Sequence, residues 1–191
     1  MRLENGFEVD ASPDRAWALL NDVPRVIPCM PGAELVETVD ENTWKGRVHV
    51  KLGPVALQFD TDVVREAEDA AARRVVLTAK ARELRGRGSA QARIESSLSA
   101  VDGRTRVAIE TELTLQGTVA QYGRGIVPDV AAQLTREFAA NLAALLDADH
   151  AAAPAAGDEA PPRAAAVAPI SGFRLALRVL RTRLARLLRR G

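Results

Sequence analysis

"TWKGRVHVKLGPVALQFDTDV", residues 43–63, alternates, turns and alternates again. Before Gly53-Pro54, Trp44, Gly46, Val48, Val50 and Leu52 share one side, and Lys45, Arg47, His49 and Lys51 share the other. After it, Val55, Leu57, Phe59, Thr61 and Val63 alternate against Gln58, Asp60 and Asp62. A period of two sends successive side chains to opposite faces of a strand. Gly-Pro is turn chemistry. The stretch predicts an antiparallel hairpin with one wet and one dry face, and a dry face needs a cover.

The same pattern runs outward in both directions. Strands are predicted near 1–9, 33–39, 73–82, 86–100 and 104–116, with Asp40-Glu41-Asn42, Glu68-Asp69 and Asp102-Gly103 as breaks. "ASPDRAWALLND" predicts a helix with Ser12 as N-cap, Pro13 at its first position and Asp14 in its first turn. Pro24 and Pro28 limit "VPRVIP" to one further turn. After Gly117, Val127, Val130, Leu134, Phe138, Asn141 and Leu145 recur at helical spacing up to Asp147. About twenty residues at about 1.5 Å each give about 30 Å, enough to cross a sheet. This helix is the predicted cover.

Composition sets the outer limits. With 47% hydrophobic residues in 191, the chain suits one sizeable domain with something left over. A single cysteine permits no internal disulfide and fits a reducing cytoplasm. No secretion signal and no spanning segment is expected. The net charge of +1 hides an asymmetry: residues 1–150 hold 18 basic against 23 acidic side chains, whereas 151–191 hold 8 arginines against 2 acids.

That asymmetry divides the chain into a body at 1–147, an Ala/Pro-rich linker at 148–170 and a tail at 171–191. In the tail, Phe173, Leu177, Leu180, Leu184, Leu187 and Leu188 make an apolar stripe. Arg174, Arg178, Arg181, Arg183, Arg186, Arg189 and Arg190 fill the remaining circumference. Nucleic acid would use the arginines but not the stripe; a protein groove would use the stripe but not the unbroken positive charge. An anionic membrane surface uses both. Each Arg contributes about 1 kcal/mol there, and each buried Leu or Phe about 1.5–3 kcal/mol, less when partly inserted.

Strand, short helices, six strands and a long C-terminal helix is the α+β helix-grip order of the START/Bet v1-like (SRPBCC) superfamily. Four motifs in order bring the likeness closer: "FEVDASPDRAWALLNDVPRVIPCMPG", "WKGRVHVKLGPVALQF", "GRGSAQARIESSLSA" and "GTVAQYGRGIVPDVAAQLTREFAANL". Together they resemble the G-subunit family of carbon monoxide dehydrogenase over about residues 1–147. The resemblance implies a curved sheet around an apolar cavity, and an accessory protein of molybdenum hydroxylases that itself carries no metal. Where relatives have an acidic residue in a "GxDxRGxG" stretch, this chain has "ARELRGRG" with Glu83 nearby.

Candidate cavity residues follow from the dry faces. They are Val48 and Val50; Leu57, Phe59 and Thr61; Leu77; Ala90 and Ala92; Thr111 and Leu113. Met30 comes from the Pro-rich turn, and Tyr122, Ile126, Val130, Leu134 and Phe138 from the closing segment. Gly86, Gly88, Ala90 and Ala92 read either as unfilled volume or as a close backbone approach. Thr61, Thr111, Gln121 and Tyr122 are the polar groups expected to face a guest. Gly117, Gly123 and Gly125 are either an awkward helix start or a hinge. No acid pair and no Ser-His arrangement stands out, so no catalytic residue is expected. Cys29 has neither His49 nor His150 near it in the pattern and is expected to be structural or cavity-lining.

These readings converge on one expectation: an apolar ligand, an isoprenoid quinone, held beside the inner face of the cytoplasmic membrane for a molybdenum hydroxylase of the carbon monoxide dehydrogenase type. An assembly factor for that hydroxylase and a small-molecule enzyme of the same fold are the alternatives.

Overall fold

The computed structural model describes residues 1–52, 55–122 and 125–152, with the side chains of Leu52, Tyr122 and Ala152 left outside that description. The linker from 153 onward and the whole tail, including Phe173, Arg174, Leu177, Arg178, Leu180, Arg181, Leu184, Leu187 and Leu188, lie outside the described residues.

Seven strands form one antiparallel sheet: β1 (Arg2–Val9), β2 (Ala33–Thr38), β3 (Thr43–Leu52), β4 (Val55–Asp69), β5 (Arg74–Glu83), β6 (Gly88–Val101) and β7 (Arg104–Gly117). Their order across the sheet is β1-β7-β6-β5-β4-β3-β2. The quoted hairpin is β3 and β4, in register from Thr43 opposite Val64 to Leu52 opposite Val55. One β-bulge sits in β2 between Leu35 and Glu37, and another in β4 between Arg65 and Ala67. Bulges sharpen the local twist and bend the strand, which helps an open sheet curl.

Between β1 and β2 lie helix α1 (Pro13–Asn21), the single turn α2 (Val23–Val26) and a 3₁₀ turn at Ile27–Cys29. The Ser12 hydroxyl accepts from the Arg15 amide at 3.4 Å, and the Asp22 carboxylate accepts from the Arg25 amide at 3.4 Å. Each cap satisfies an amide that the first helical turn leaves without an acceptor.

The closing helix, α3, runs Val127–Ala152. It continues past Asp147, so residues 148–152 and His150 belong to the helix and not to a linker. Two side chains secure that last part. Arg25 donates to both carboxylate oxygens of Asp149 at 2.7 and 2.8 Å, and Arg15 donates to the Leu146 carbonyl at 3.0 Å. The Arg25 cation thereby sits at the last turn of α3, where it meets the negative end of the helix.

Below α3 the core falls into two clusters. The larger joins Val9, Ala16, Leu19, Cys29, Leu98, Val107, Phe138, Leu142 and Leu146. Phe7 meets Phe138 there edge to face, centroids 5.7 Å apart. The smaller joins Leu57, Phe59 and Val119, with Val130 of α3 packed against it. Arg65 faces inward on β4, with its guanidinium carbon 5.3 Å from the Trp44 ring centre. It donates to the Asn21 carbonyl at 2.8 Å, which ties β4 to the end of α1.

Candidate functional site

One helix is thus pinned at both ends, and what lies under its middle is different. Val130 belongs with the smaller cluster, and Phe138, Leu142 and Leu146 with the larger. Leu134, one turn from each side, is only half-buried.

The register shows why the middle is lightly filled. Thr61 of β4 stands opposite Gly46 of β3 and Ala81 of β5, and Ala81 stands opposite Ala90 of β6. In the neighbouring row Val63 faces Ala79, Ala79 faces Ala92, and Ala92 faces Leu113. The centre of the inner face therefore carries mostly side chains of a methyl group or less. The larger aliphatics around it, Leu77, Ile94, Leu113 and Val63, are half-buried although they face the helix. Fully packed interiors leave no such exposure. This band between the clusters is the candidate ligand site.

Thr61 is its most unusual member. The residue is 8% exposed, and its hydroxyl has no hydrogen-bond partner among the described residues. Its cross-strand neighbours, Gly46 and Ala81, have no side-chain polar atom to offer. A buried hydroxyl without a partner is costly and calls for an explanation.

The other sequence-derived candidates distribute as follows. Val48, Val50, Leu57, Phe59, Leu77, Ala90, Ala92, Thr111 and Leu113 share the inner-facing parity of their strands with Thr61. Phe138 is 7% exposed inside the larger cluster, so it ends the band and does not line its middle. Met30 packs against that same cluster. Ile126 is 39% exposed in the turn before α3 and stands at the rim. Gln121 is exposed and does not face the interior. The side chain of Tyr122 lies outside the described residues.

The small residues at the start of β6 need a correction. Gly86 is in the β5–β6 turn, and Gly88 meets Gly117 across the strand pair. These two glycines mark a turn and a close backbone contact, not unfilled volume; only Ala90 and Ala92 belong to the band. Ala79 and Ala81 join them there without having stood among the sequence candidates, although "LTAKARE" in β5 alternates just as the quoted hairpin does.

Cys29 is 4% exposed in the larger cluster, and burial pushes its thiol pKa up, away from the reactive thiolate. The Asn141 side-chain amide donates to its carbonyl at 2.9 Å. It is a core residue. His49 is exposed on the wet face. Among the described residues no group of three or more His, Cys, Asp or Glu could hold a metal ion, and no helix is long and apolar enough to cross a membrane.

A groove of about 710 Å³ lies against the opposite, outer face. Its walls are charged rows, with Lys45, Asp62 and Lys80 on one side and Arg47, Asp60 and Arg82 on the other. Arg47 donates to Asp60 at 3.2 Å, and Lys45 to Glu37 at 3.0 Å, which raises the Lys45 pKa. Alternating charges of both signs along its walls suit solvent, not an apolar guest.

Glu83, at the end of β5, is 5% exposed. Its carboxylate accepts the amides of Arg85 at 2.8 Å and Arg87 at 3.0 Å. Burial pushes its pKa up, but those two amides and the nearby guanidiniums outweigh it and hold the group below its ordinary value. Its work is to organise the β5–β6 turn.

The family model for CoxG, the G-subunit of carbon monoxide dehydrogenase, matches residues 6–147. A conserved protein from Geobacillus kaustophilus is similar in structure, with a TM-score of 0.70 at 18% identity, covering 78% of this chain and 97% of that one. A protein from Chromobacterium violaceum gives 0.57 at 12% identity over 76% of this chain and 96% of its own. The Zhui aromatase/cyclase from Streptomyces sp. R1128 gives 0.50 at 20% identity over 82% and 98%. At these identities the likenesses establish the helix-grip architecture alone. No curated protein sequence matches the chain.

Proposed function

The chain belongs to the CoxG family of carbon monoxide dehydrogenase, and from that premise we propose that it is a ligand-carrying accessory protein of a molybdenum hydroxylase. The ligand is an isoprenoid quinone held between the sheet and α3. The Arg/Leu tail holds the protein, and through it the hydroxylase, at the inner face of the cytoplasmic membrane. Electrons from the hydroxylase then have an acceptor that lives in that membrane.

The observation that carries this reading is the divided core. α3 is anchored to both clusters, while the band of Gly46, Ala79, Ala81, Ala90 and Ala92 between them is flanked by half-buried aliphatics. Pockets for small molecules are mostly apolar, with few polar groups that fix orientation. A band of methyl groups with the buried hydroxyl of Thr61, and Thr111 at its edge, fits a flat ring and a prenyl chain. The sequence of the tail supplies the second half, an apolar stripe at helical spacing among arginines with no acid between them.

The test is direct. Full-length protein incubated with quinone-bearing anionic vesicles, recovered and extracted with organic solvent should yield quinone in stoichiometric amount. Recovery of protein free of prenyl lipid would reject the carrier and favour a maturation factor.

A further inference from the structure

Resting on that reading, we propose that Thr61 is the polar anchor of the band, and that its hydroxyl donates a hydrogen bond to a ring carbonyl of the bound ligand. The ligand class is then a neutral, flat, carbonyl-bearing apolar molecule, as distinct from a hydrocarbon or a fatty acid.

Three observations converge on this residue. Its hydroxyl is buried and unpartnered among the described residues, on a strand face that points between sheet and helix. The residues on either side of it, Gly46 and Ala81, carry no side chain larger than a methyl group. A β-branched apolar residue would fill the same volume without an orphaned group, so nothing in the packing of the described residues accounts for a hydroxyl here. A ligand oxygen supplies the missing partner.

The surroundings also restrict the charge of the guest. Glu83 stands opposite Phe59, one inward-facing step along β4 from Thr61, and is itself buried. Its carboxylate is occupied by the amides of Arg85 and Arg87 and remains negative. Arg65, the nearest inward cation on the same strand, stands two inward-facing steps from Thr61; its terminal nitrogens donate to Glu68 and to the Asn21 carbonyl, and its buried Nε has no partner among the described residues. An anionic head-group beside Thr61 would meet the negative Glu83 first, one inward-facing step away. A neutral carbonyl needs only the donor. The same hydroxyl can accept from the O–H of the reduced ring, so one residue holds both redox forms.

The experiment uses duroquinone and durene, which have the same outline but differ in the two carbonyl oxygens. Duroquinone has no free ring position for thiol addition, so Cys29 is not a complication. Binding to the full-length protein is read from tryptophan fluorescence, because Trp44 stands opposite Val63 on the inner face. Wild type is expected to prefer duroquinone. Thr61→Val is expected to weaken duroquinone about tenfold, leave durene unchanged, and melt no lower than wild type. Thr61→Ser is expected to restore the preference. A Val variant that keeps the preference, with or without a change in melting temperature, overturns the assignment of Thr61 alone. A wild type that binds neither probe, nor longer-chain quinones from vesicles, removes the functional reading as well.

Discussion

Gly88 and Gly117 face each other at the end of the β6–β7 pair, so close that a Cβ on Gly117 would lie 2.8 Å from the Cα of Gly88 and 3.0 Å from the carbonyl oxygen of Arg87. Both adopt positive φ, +141° and +73°. The strands can close only because neither position carries a side chain, and the chain then turns into Thr118–Tyr122 toward α3. Gly117→Ala should therefore lower stability on the order of 1–3 kcal/mol through strain at φ and through contact. Gly86→Ala also has a positive φ, but nothing lies within 4 Å of its would-be Cβ. It should cost no more than about 1–2 kcal/mol. Urea denaturation of the two variants checks the order; an equal or reversed pair contradicts the close-approach account.

Leu142 and Leu134 sit two turns apart on α3 and should respond oppositely to truncation. Leu142 is 0% exposed within the larger cluster. Leu142→Ala should cost about 2–5 kcal/mol, as cavity-forming core substitutions do. Leu134 lies over the lightly filled band, so Leu134→Ala should cost far less stability while weakening the binding of an apolar probe. Thermal melts paired with probe titrations separate the two effects.

Glu83 makes stability depend on pH in a specific sense. Its folded pKa lies below the unfolded value, so the contribution is complete above the ordinary carboxylate pKa of about 4.3. It is lost as pH falls through the lowered folded value. Glu83→Gln should therefore be less stable than wild type at neutral pH, with the difference shrinking toward about pH 3. Urea midpoints across that range test the sign; a gap that widens in acid would show that the carboxylate is not what organises the turn.

Truncation after Ala152 should leave a folded body, since both core clusters and both arginine clamps on α3 lie within residues 1–152. Flotation with anionic vesicles should recover the full chain and not the truncated one. Salt should weaken recovery of the full chain, because the arginine contribution is screened within about 8–10 Å at physiological ionic strength. Vesicle binding by the truncated body would move the membrane contact off the tail.

Alternation and capping were enough to place the strands to within a few residues, because a half-wet sheet writes its two faces into every second residue, and Ser12 and Pro13 announce α1 chemically. The parity of Thr61, Ala90 and Leu113 toward the dry side was legible for the same reason. The end of α3 was not. The pattern fades after Asp147, and the last turns are held by Arg15 and Arg25, which come from more than a hundred residues earlier.

Sequence alone thus determined which side chains point inward, since that depends on local backbone geometry with a period of two. It could not say which of them touch. That Gly88 is spent on Gly117, that Cys29 and Phe138 belong to a packed cluster, and that Thr61 lies between Gly46 and Ala81 with its hydroxyl unmet among the described residues are facts of register and of where one helix comes to rest. Both are decided by long-range pairing, where the energy of burial is collected only after distant strands have met.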